Sequence, residues 1–290
     1  MWATSVVGPP SRLVQSKQLR GGITGSVLAL DVVDGAGRLQ QLVLKLYTPD
    51  PTEPDSPRRE AHILELLRTS DLTVPRVVAI DPDGAQCEVP ALLMTRLPGR
   101  PRIWPRQIEP WINDLALSAE RIHATPIAPT ALPAYERYEH EIPAGPPSWS
   151  KKPAMWEKAI EAFMQPPPTH LRSFIHRDFH AGNVLWKSSS VSGIVDWLHG
   201  CWGPPEQDLA HCRLNLWLNQ GPTAADALLR LPPPVQGGGL GRGALAGNTR
   251  FPPYHPYWDL DEALGNHSFE DPPGSKLGFE SFIAAAVAKL

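Results

Sequence analysis

The sequence predicts an α+β fold in which a small β-rich lobe is followed by a larger α-rich lobe. Two observations support this division. Before Leu97 the apolar segments are short and bounded by glycine, proline or aspartate, which is typical of strands. After Pro98-Gly99 the apolar residues recur at helical spacing, as they do on the buried face of a helix. The predicted lobes are therefore residues 1–97 and 98–290.

The β-rich part is organised around one predicted hairpin. Val27–Val33 and Leu42–Tyr47 are apolar segments joined through Asp34-Gly35, a dipeptide that favours a tight turn. A glycine-rich turn precedes the first of these strands. Ser56-Pro57 then begins a helix that runs to about Arg68, because proline suits the first helical position. Two further strands are predicted, Val74–Ile80 and Pro90–Leu97.

The α-rich part begins with a predicted amphipathic helix. Its apolar residues recur three or four positions apart, which places them on one face. They are Ile108, Trp111, Ile112, Leu115, Ala119 and Ile122. Residues 125–150 carry many prolines, so we expect an irregular segment there. Further helices are predicted at Pro153–Phe163, Gln207–Leu218 and Phe279–Leu290.

Residues 231–257 differ in composition from the rest of the chain. Twelve of them are proline or glycine, including the run Gly237-Gly-Gly239. Such a segment buries too little apolar surface to offset the entropy lost on ordering. We therefore expect a flexible loop between two helical parts.

The composition excludes several classes of protein. The net charge is −3, so a nucleic-acid partner has no electrostatic support. No apolar run approaches the roughly 18 residues of a membrane span, and Met1–Arg20 lacks the apolar core of a signal peptide. The three cysteines are scattered, without the spacing of a zinc site. We expect a reduced, cytoplasmic protein, whose oligomeric state the sequence leaves open.

The densest chemical pattern is Phe174-Ile-His-Arg-Asp-Phe-His-Ala-Gly-Asn183, followed by Asp196 after an apolar strand. Phosphoryl transfer needs a carboxylate that accepts the proton of the attacking hydroxyl, oxygen ligands for Mg²⁺, and a cation for the phosphates. Asp178, the pair Asn183 and Asp196, and Lys45 supply these groups in that order. Lys45 is the one polar residue in an apolar strand segment, and a lysine there requires a partner.

A second chemical interpretation concerns the same loop. His176, Asp178 and His180 alternate along the chain, so on one strand face they are candidate metal ligands of a hydrolase. The sequence shows no second cluster of histidine and aspartate with ligand spacing. We expect His176 to brace the backbone of the loop, and His211, Cys212 and Arg213 to form the inner face of a packed helix.

With these motifs, residues 15–220 resemble the aminoglycoside phosphotransferase and choline kinase superfamily, small-molecule relatives of the protein kinases. The resemblance implies a two-lobe protein-kinase-like fold with Asp178 as catalytic base, Asn183 and Asp196 as Mg²⁺ ligands, and Lys45 on the nucleotide phosphates. It also implies four further roles. These are a partner for Lys45 (Glu60), a turn over the phosphates (Gly21, Gly22 and Gly25), a hinge that reads the base (Met94, Thr95 and Leu97), and a structural aspartate (Asp208).

Several departures bear on which branch of the superfamily applies. Arg177 precedes Asp178, as in protein kinases, where the small-molecule kinases usually carry glycine. However, Asp196 is followed by Trp197-Leu198 instead of Phe-Gly, and no Ala-Pro-Glu segment follows. His180 matches the small-molecule branch. The resemblance thus implies transfer of the γ-phosphoryl of ATP (or GTP) to a hydroxyl of a small molecule. A catalytically inactive nucleotide- or metabolite-binding relative and a protein kinase are the alternatives.

One segment of the sequence bears on the chemistry of the acceptor. Residues 257–271 are acidic and carry no lysine or arginine, with Asp259, Asp261, Glu262, Glu270 and Asp271 beside tyrosine and tryptophan. An acidic, aromatic wall would suit a cationic or polyhydroxylated acceptor such as an aminosugar. The alternative is a solvated helix face that contacts no acceptor.

Overall fold

The computed structural model describes residues 2–19, 25–50, 55–137, 145–168, 171–230, 253–268, 272 and 274–290. The chain forms two compact units that alternate along the sequence. Unit 1 comprises Met1–Arg102, Thr125–Ala128 and Gly182–Gly200. Unit 2 comprises Ile103–Ala124, Pro129–Ala181 and Cys201–Leu290. The motif of the preceding section is therefore divided, because the chain passes from unit 2 to unit 1 between Ala181 and Gly182.

Unit 1 is built on an antiparallel five-stranded sheet, with strand order β1-β2-β3-β5-β4. Its strands are β1 (Arg12–Leu19), β2 (Gly25–Val33), β3 (Leu39–Tyr47), β4 (Val77–Asp81) and β5 (Ala91–Thr95). Alternate side chains of the sheet pack with α1 (Trp2–Val7) in a core that includes Leu30, Val32, Leu44 and Leu93. Helix α2 (Ser56–Leu67) contacts β4 and β5.

A second, three-stranded sheet of unit 1 carries part of the motif. It has the order β6-β8-β9, where β6 is Arg100–Pro101, β8 is Val184–Lys187 and β9 is Ser190–Ile194. The backbone N–H of Ile194 donates to the carbonyl of Thr73, at 2.9 Å. This bond ties the end of β9 to the segment that leads into β4.

In the residues that the structure describes, unit 2 consists mainly of helices and contains the two-stranded pair of β7 (Ser173–Ile175) and β10 (Cys201–Gly203). Its helices are α3 (Ile108–His123), α4 (Pro153–Met164), α5 (Pro205–Gln220), α6 (Pro222–Arg230), α7 (Tyr257–Gly265) and α8 (Lys276–Val287). Aromatic residues of α4 and α8 pack with apolar residues of α7 in one core that includes Trp156, Phe163, Leu260, Phe279 and Phe282.

The predicted α+β class is confirmed, and most predicted elements are present within a few residues of their expected bounds. Elements that the sequence analysis did not predict include α1, β1 and α6. Of the predicted flexible loop at 231–257, residues 231–252 lie outside the described residues. The predicted C-terminal boundary of the loop is wrong, because Tyr257 is the buried first residue of α7. The lobe boundary at Leu97 stays a prediction.

None of the helices that the structure describes combines the length and the apolar character that crossing a lipid bilayer requires.

Gly25 is required by the packing of two strands, whatever its relation to a nucleotide. It pairs with Tyr47 at the start of β2, and a Cβ atom there would lie 1.9 Å from the carbonyl oxygen of Leu46. We expect Gly25→Ala to force β2 and β3 apart and to lower the free energy of unfolding by about 1–3 kcal/mol. The denaturant midpoint, followed by tryptophan fluorescence, measures this effect.

Gly145→Ala is the control for this experiment, because a Cβ at Gly145 meets no atom within 4 Å. It should change stability by less than about 0.5 kcal/mol. Equal midpoints for the two variants would show that the β2–β3 ladder relaxes around the added methyl group, contrary to the packing argument.

Candidate active site

A buried ion-pair cluster forms the polar centre of unit 1. The Nζ atom of Lys45 lies 2.7 Å from Glu60 Oε2 and 2.7 Å from Asp196 Oδ1. The hydroxyl of Tyr47 donates to the same Glu60 oxygen at 2.6 Å. Glu60 is 1% exposed and Lys45 5%. The structure thus brings together three of the residues that the sequence analysis singled out, and adds Tyr47.

The strand pattern explains why Lys45 is placed in this cluster. Its neighbour Leu44 belongs to the apolar core of unit 1, so Lys45 projects from the opposite face of β3. Burial alone would lower the pKa of Lys45, but the carboxylates of Glu60 and Asp196 outweigh it and raise the pKa above its usual range. Lys45 is therefore a fixed positive charge at neutral pH.

Asn183 and Asp196 lie at the same end of the β8–β9 ladder. Val184 pairs with Ile194, and the carbonyl of Asn183 accepts a hydrogen bond from the N–H of Val195 at 2.9 Å. The ladder therefore places the backbone of Asn183 opposite Val195, the residue before Asp196. Asp196 adopts a left-handed backbone with φ of 68°. Amide and carboxylate oxygens are ligands that Mg²⁺ prefers, so this donor set fits the ion.

Glu60 also fixes the segment after Asp196. The backbone N–H of Trp197 donates to Glu60 Oε1 at 3.3 Å, and the indole N–H of Trp197 donates to the carbonyl of Ile194 at 3.0 Å. One buried carboxylate thus contacts Lys45, Tyr47 and the backbone beside Asp196. The position of the Asp196 carboxylate depends on Glu60 as well as on the ladder.

In unit 2, Asp208 of α5 holds the loop that carries Asp178. The side chain of Asp208 is fully buried and accepts hydrogen bonds from the backbone N–H groups of His176, at 3.0 Å, and Arg177, at 2.6 Å. His123 of α3 places its Nε2 atom 2.8 Å from the same carboxylate. Asp208 therefore connects two helices to the loop backbone.

The backbone conformation of Arg177 is one that favours glycine, which is the residue that the small-molecule kinases usually carry at this position. Its φ of 70° lies in the left-handed region, which glycine adopts without steric cost. An L-residue there costs about 1–2 kcal/mol. Contacts that offset this cost are the bond to Asp208, a guanidinium donation to the carbonyl of Glu136, and stacking 4.9 Å above the ring of Tyr135.

The carboxylate of Asp178 is bonded to a histidine that is itself bonded to a second carboxylate. His211 Nε2 lies 3.1 Å from Asp178 Oδ1, and His211 Nδ1 lies 2.9 Å from Glu262 Oε1. Burial would lower the pKa of His211, but Glu262 and Asp178 raise it well above its usual range. The resulting imidazolium donates from both ring nitrogens.

The charge on His211 keeps Asp178 ionised. Burial would raise the pKa of the Asp178 carboxyl, but the hydrogen bond and charge of His211 hold that pKa well below its usual range. His180 Nε2 adds a further positive partner at 3.7 Å when protonated. The Asp178 side chain is 30% exposed, so it remains accessible to a ligand.

Sequence reasoning missed His211 and Glu262 as neighbours of the loop. Cys212 and Arg213 are buried in α5 as expected, but His211 contacts Asp178. A signal was present, because His211 follows the assigned Asp208 by three residues, and that spacing places two side chains on one helix face. Tyr47 follows Lys45 by two residues, which is the corresponding spacing on one face of a strand.

Both interpretations of the acidic segment are wrong for Asp259, Asp261 and Glu262, which are buried and paired inside unit 2. Arg213 Nε lies 3.0 Å from Asp259, and Arg137 Nε lies 2.8 Å from Asp261. These side chains form neither an acidic wall nor a solvated face, because every residue of α7 is buried and a buried charge requires partners. Glu270 and Asp271 lie outside the described residues.

The remaining nucleotide-side predictions are only partly described. Gly21 and Gly22 lie outside the described residues. Met94 and Thr95 end β5, where the N–H of Thr95 donates to the carbonyl of Arg76, at 2.9 Å. The N–H of Arg96 donates to the carbonyl of Gln41. Neither of these two N–H groups can donate to a base without leaving the sheet, so a hinge contact requires other atoms of the stretch that ends at Leu97.

Structural comparison finds the same fold in solved phosphotransferases. Aminoglycoside phosphotransferase APH(4)-Ia superposes with a TM-score of 0.62 at 14% identity, over 96% of this chain and 94% of that chain. The GDP and kanamycin complex of APH(2")-IIia gives 0.58 at 15%, over 78% and 81%. Macrolide 2'-phosphotransferase MphH from Brachybacterium faecium gives 0.51 at 16%, over 74% and 76%.

Sequence comparison identifies the family. A search of curated proteins found no significant match. The family model described as "Phosphotransferase enzyme family" matches residues 17–237, which is more than half of the chain and includes Lys45, the Asp178 loop and Asp196. This match shows that the chain belongs to the phosphotransferase enzyme family.

Proposed function

We propose that the protein transfers the γ-phosphoryl group of ATP or GTP to a hydroxyl of a small molecule. The observation that carries the proposal is the Lys45–Glu60–Asp196 cluster of unit 1, in a chain that also holds the Asp178 loop. A buried lysine fixed between two carboxylates, one of them partly exposed, is suited to neutralise phosphate charge beside a metal ligand.

Two residues of unit 1 are the proposed Mg²⁺ ligands. Asn183 and Asp196 offer an amide and a carboxylate oxygen from the same end of the β8–β9 ladder. When bound, Mg²⁺ would neutralise developing charge on the phosphate oxygens. Lys45 is the proposed phosphate contact, and Glu60 keeps the lysine in place. Tyr47 contributes by donating to Glu60.

Asp178 is the proposed partner of the attacking hydroxyl. Because its pKa is held well below the usual range, it is a weak base in the ground state and chiefly orients the hydroxyl by accepting a hydrogen bond. The hydroxyl proton passes to Asp178 as the bond from the acceptor oxygen to the γ-phosphorus forms and the bond from that phosphorus to the β–γ bridging oxygen breaks, which releases the nucleoside diphosphate. His211 acts as a positioning residue, since its two ring nitrogens contact Asp178 and Glu262.

The two alternative functions have different support. The inactive-relative interpretation would require a missing charged group, yet Lys45, Asp178 and Asp196 are all present. The protein-kinase interpretation rests on Arg177, whose left-handed backbone and contacts give it a local structural role. A small-molecule acceptor is therefore favoured. Its charge is not indicated by α7, whose acidic groups are paired inside unit 2.

The proposed roles predict that two variants separate binding from turnover. Asp196→Ala removes a proposed Mg²⁺ ligand, so Mg²⁺-dependent nucleotide binding should weaken together with turnover. Asp178→Asn keeps the shape but cannot take the proton, so it should lower kcat by about 10²–10⁴ with little change in nucleotide affinity. Calorimetry of Mg-nucleotide binding beside single-turnover rates measures both effects.

Asp83→Asn serves as the matched carboxylate control, because Asp83 is 82% exposed and should change neither quantity. A loss of nucleotide binding in Asp178→Asn as large as that in Asp196→Ala would reassign Asp178 as a metal ligand or structural brace.

The function itself is tested by turnover against a panel of hydroxyl acceptors comprising aminoglycosides, macrolides, choline and amino alcohols. We expect at least one acceptor to become phosphorylated in a reaction that requires Mg²⁺ and a nucleoside triphosphate and that Asp178→Asn nearly abolishes. Mass spectrometry of the acceptor is the readout. Tight nucleotide binding without transfer to any acceptor would favour an inactive relative, and phosphorylation of protein substrates alone would favour a protein kinase.

A further inference from the structure

Three potential metal ligands converge around Asp178 within unit 2. Asp178 Oδ1 lies 3.1 Å from His211 Nε2 and 3.7 Å from His180 Nε2. Ligand atoms of all three residues lie within 4.8 Å of one another. In a tetrahedral zinc site with bonds of about 2.0–2.1 Å, the ligand atoms are about 3.3 Å apart. The two separations from Asp178 are close to this value and the third is at most 4.8 Å, so side-chain movements of about 1 Å would complete the site.

Accessibility also permits an ion to enter. The side chains of Asp178, His180 and His211 are 30%, 28% and 16% exposed. The rings of His180 and His211 lie with centroids 5.5 Å apart and planes inclined by 56°. Three protein ligands leave a fourth position for water, as in zinc sites that are not closed structural centres.

The far side of His211 carries the support that a metal-bound histidine usually has. His211 Nδ1 lies 2.9 Å from Glu262, and a metal-ligating histidine commonly donates its second N–H to a carboxylate. Glu262 is fully buried and is held by Gln207 at 2.9 Å, Asn266 at 2.6 Å and His267 at 3.0 Å. The ring orientation that presents Nε2 to Asp178 is therefore already fixed.

His176 is not a member of this group, in contrast to the alternating set considered from the sequence. It is fully buried, its ring packs against Phe179, and its backbone N–H is bound to Asp208. His211, from a helix outside the motif, takes the place of His176 as the third ligand.

We propose that Asp178, His180 and His211 form a binding site for a transition-metal ion of the zinc class, and that occupancy of this site inhibits phosphoryl transfer. Imidazole ligands favour zinc, cobalt and nickel, whereas the oxygen set of Asn183 and Asp196 suits magnesium. The bound ion replaces the proton that lies between His211 and Asp178, and this proton is released to solvent. The ion also binds the carboxylate of Asp178, which would otherwise accept the hydrogen bond of the acceptor hydroxyl. The proposed inhibition rests on the proposed function, whereas the proposed metal binding does not.

Metal binding is tested first, on the full chain without a histidine tag and without nucleotide. Cobalt(II) is the probe, because four-coordinate cobalt gives strong visible absorption, and zinc should displace it at equimolar concentration. We expect His180→Gln and His211→Gln each to weaken cobalt binding at least about tenfold. His62→Gln, at an exposed histidine of α2, and Asp196→Asn, at the proposed magnesium site, should leave the cobalt spectrum unchanged.

Inhibition is tested second, with saturating Mg-nucleotide and an acceptor that turns over. Zinc should inhibit the wild type at concentrations that occupy the cobalt site. In His180→Gln the inhibition curve should move at least about tenfold toward higher zinc, relative to the zinc-free rate of that variant. If His211→Gln does not fold, as circular dichroism would show, His180→Gln alone decides the test.

The outcomes distinguish the two halves of the proposal. A wild-type cobalt spectrum that is absent, or that His180→Gln leaves unchanged, would overturn the site. Cobalt binding without zinc inhibition would support the site and overturn its inhibitory role. Failure to phosphorylate any acceptor in the absence of zinc would count against the proposed function and would leave the cobalt result standing.

Discussion

The structure depends on one constraint, which is that a carboxylate removed from water must be met by cations or hydrogen-bond donors. Leaving such a group without its partner costs about 3–5 kcal/mol. Glu60, Asp208 and Glu262 are almost completely buried, and each contacts at least three donor groups. Among these donors are Lys45, His211 and backbone N–H groups of the loop that carries Asp178. Burial of these acids therefore determines where Lys45 and Asp178 are held.

The division of labour between sequence and tertiary contacts follows from this constraint. The positions of Asp178, Asn183 and Asp196 could be predicted, because their spacing is local and each lies beside a short apolar strand. Lys45 could be predicted because a lysine interrupts an apolar segment. The burial of α7 could not be predicted, because a helix rich in acidic residues is expected to face solvent unless its buried partners are known. Asp259 is separated from Arg213 by 46 residues, and no local pattern indicates that pair.

Two parts of the fold illustrate the same limit. Strand β1 is largely exposed and polar, so it lacks the apolar alternation that marks a strand, and only its pairing with β2 defines it. The β2–β3 hairpin was predicted correctly, because Asp34 accepts the turn hydrogen bonds from Ala36 and Arg38 within four residues. Elements stabilised by short-range bonds are visible in the sequence, whereas those stabilised by distant surfaces are not.

The bond between His211 and Glu262 joins residues that are 51 positions apart, so it also constrains how the protein is made. At a synthesis rate of about 5–20 residues per second, His211 leaves the ribosome roughly 3–10 s before its partner. Until Glu262 has been synthesised, the Nδ1 atom of His211 lacks the carboxylate that it contacts in the folded protein. The nascent chain therefore completes the support of the Asp178 loop only after α7 has been synthesised.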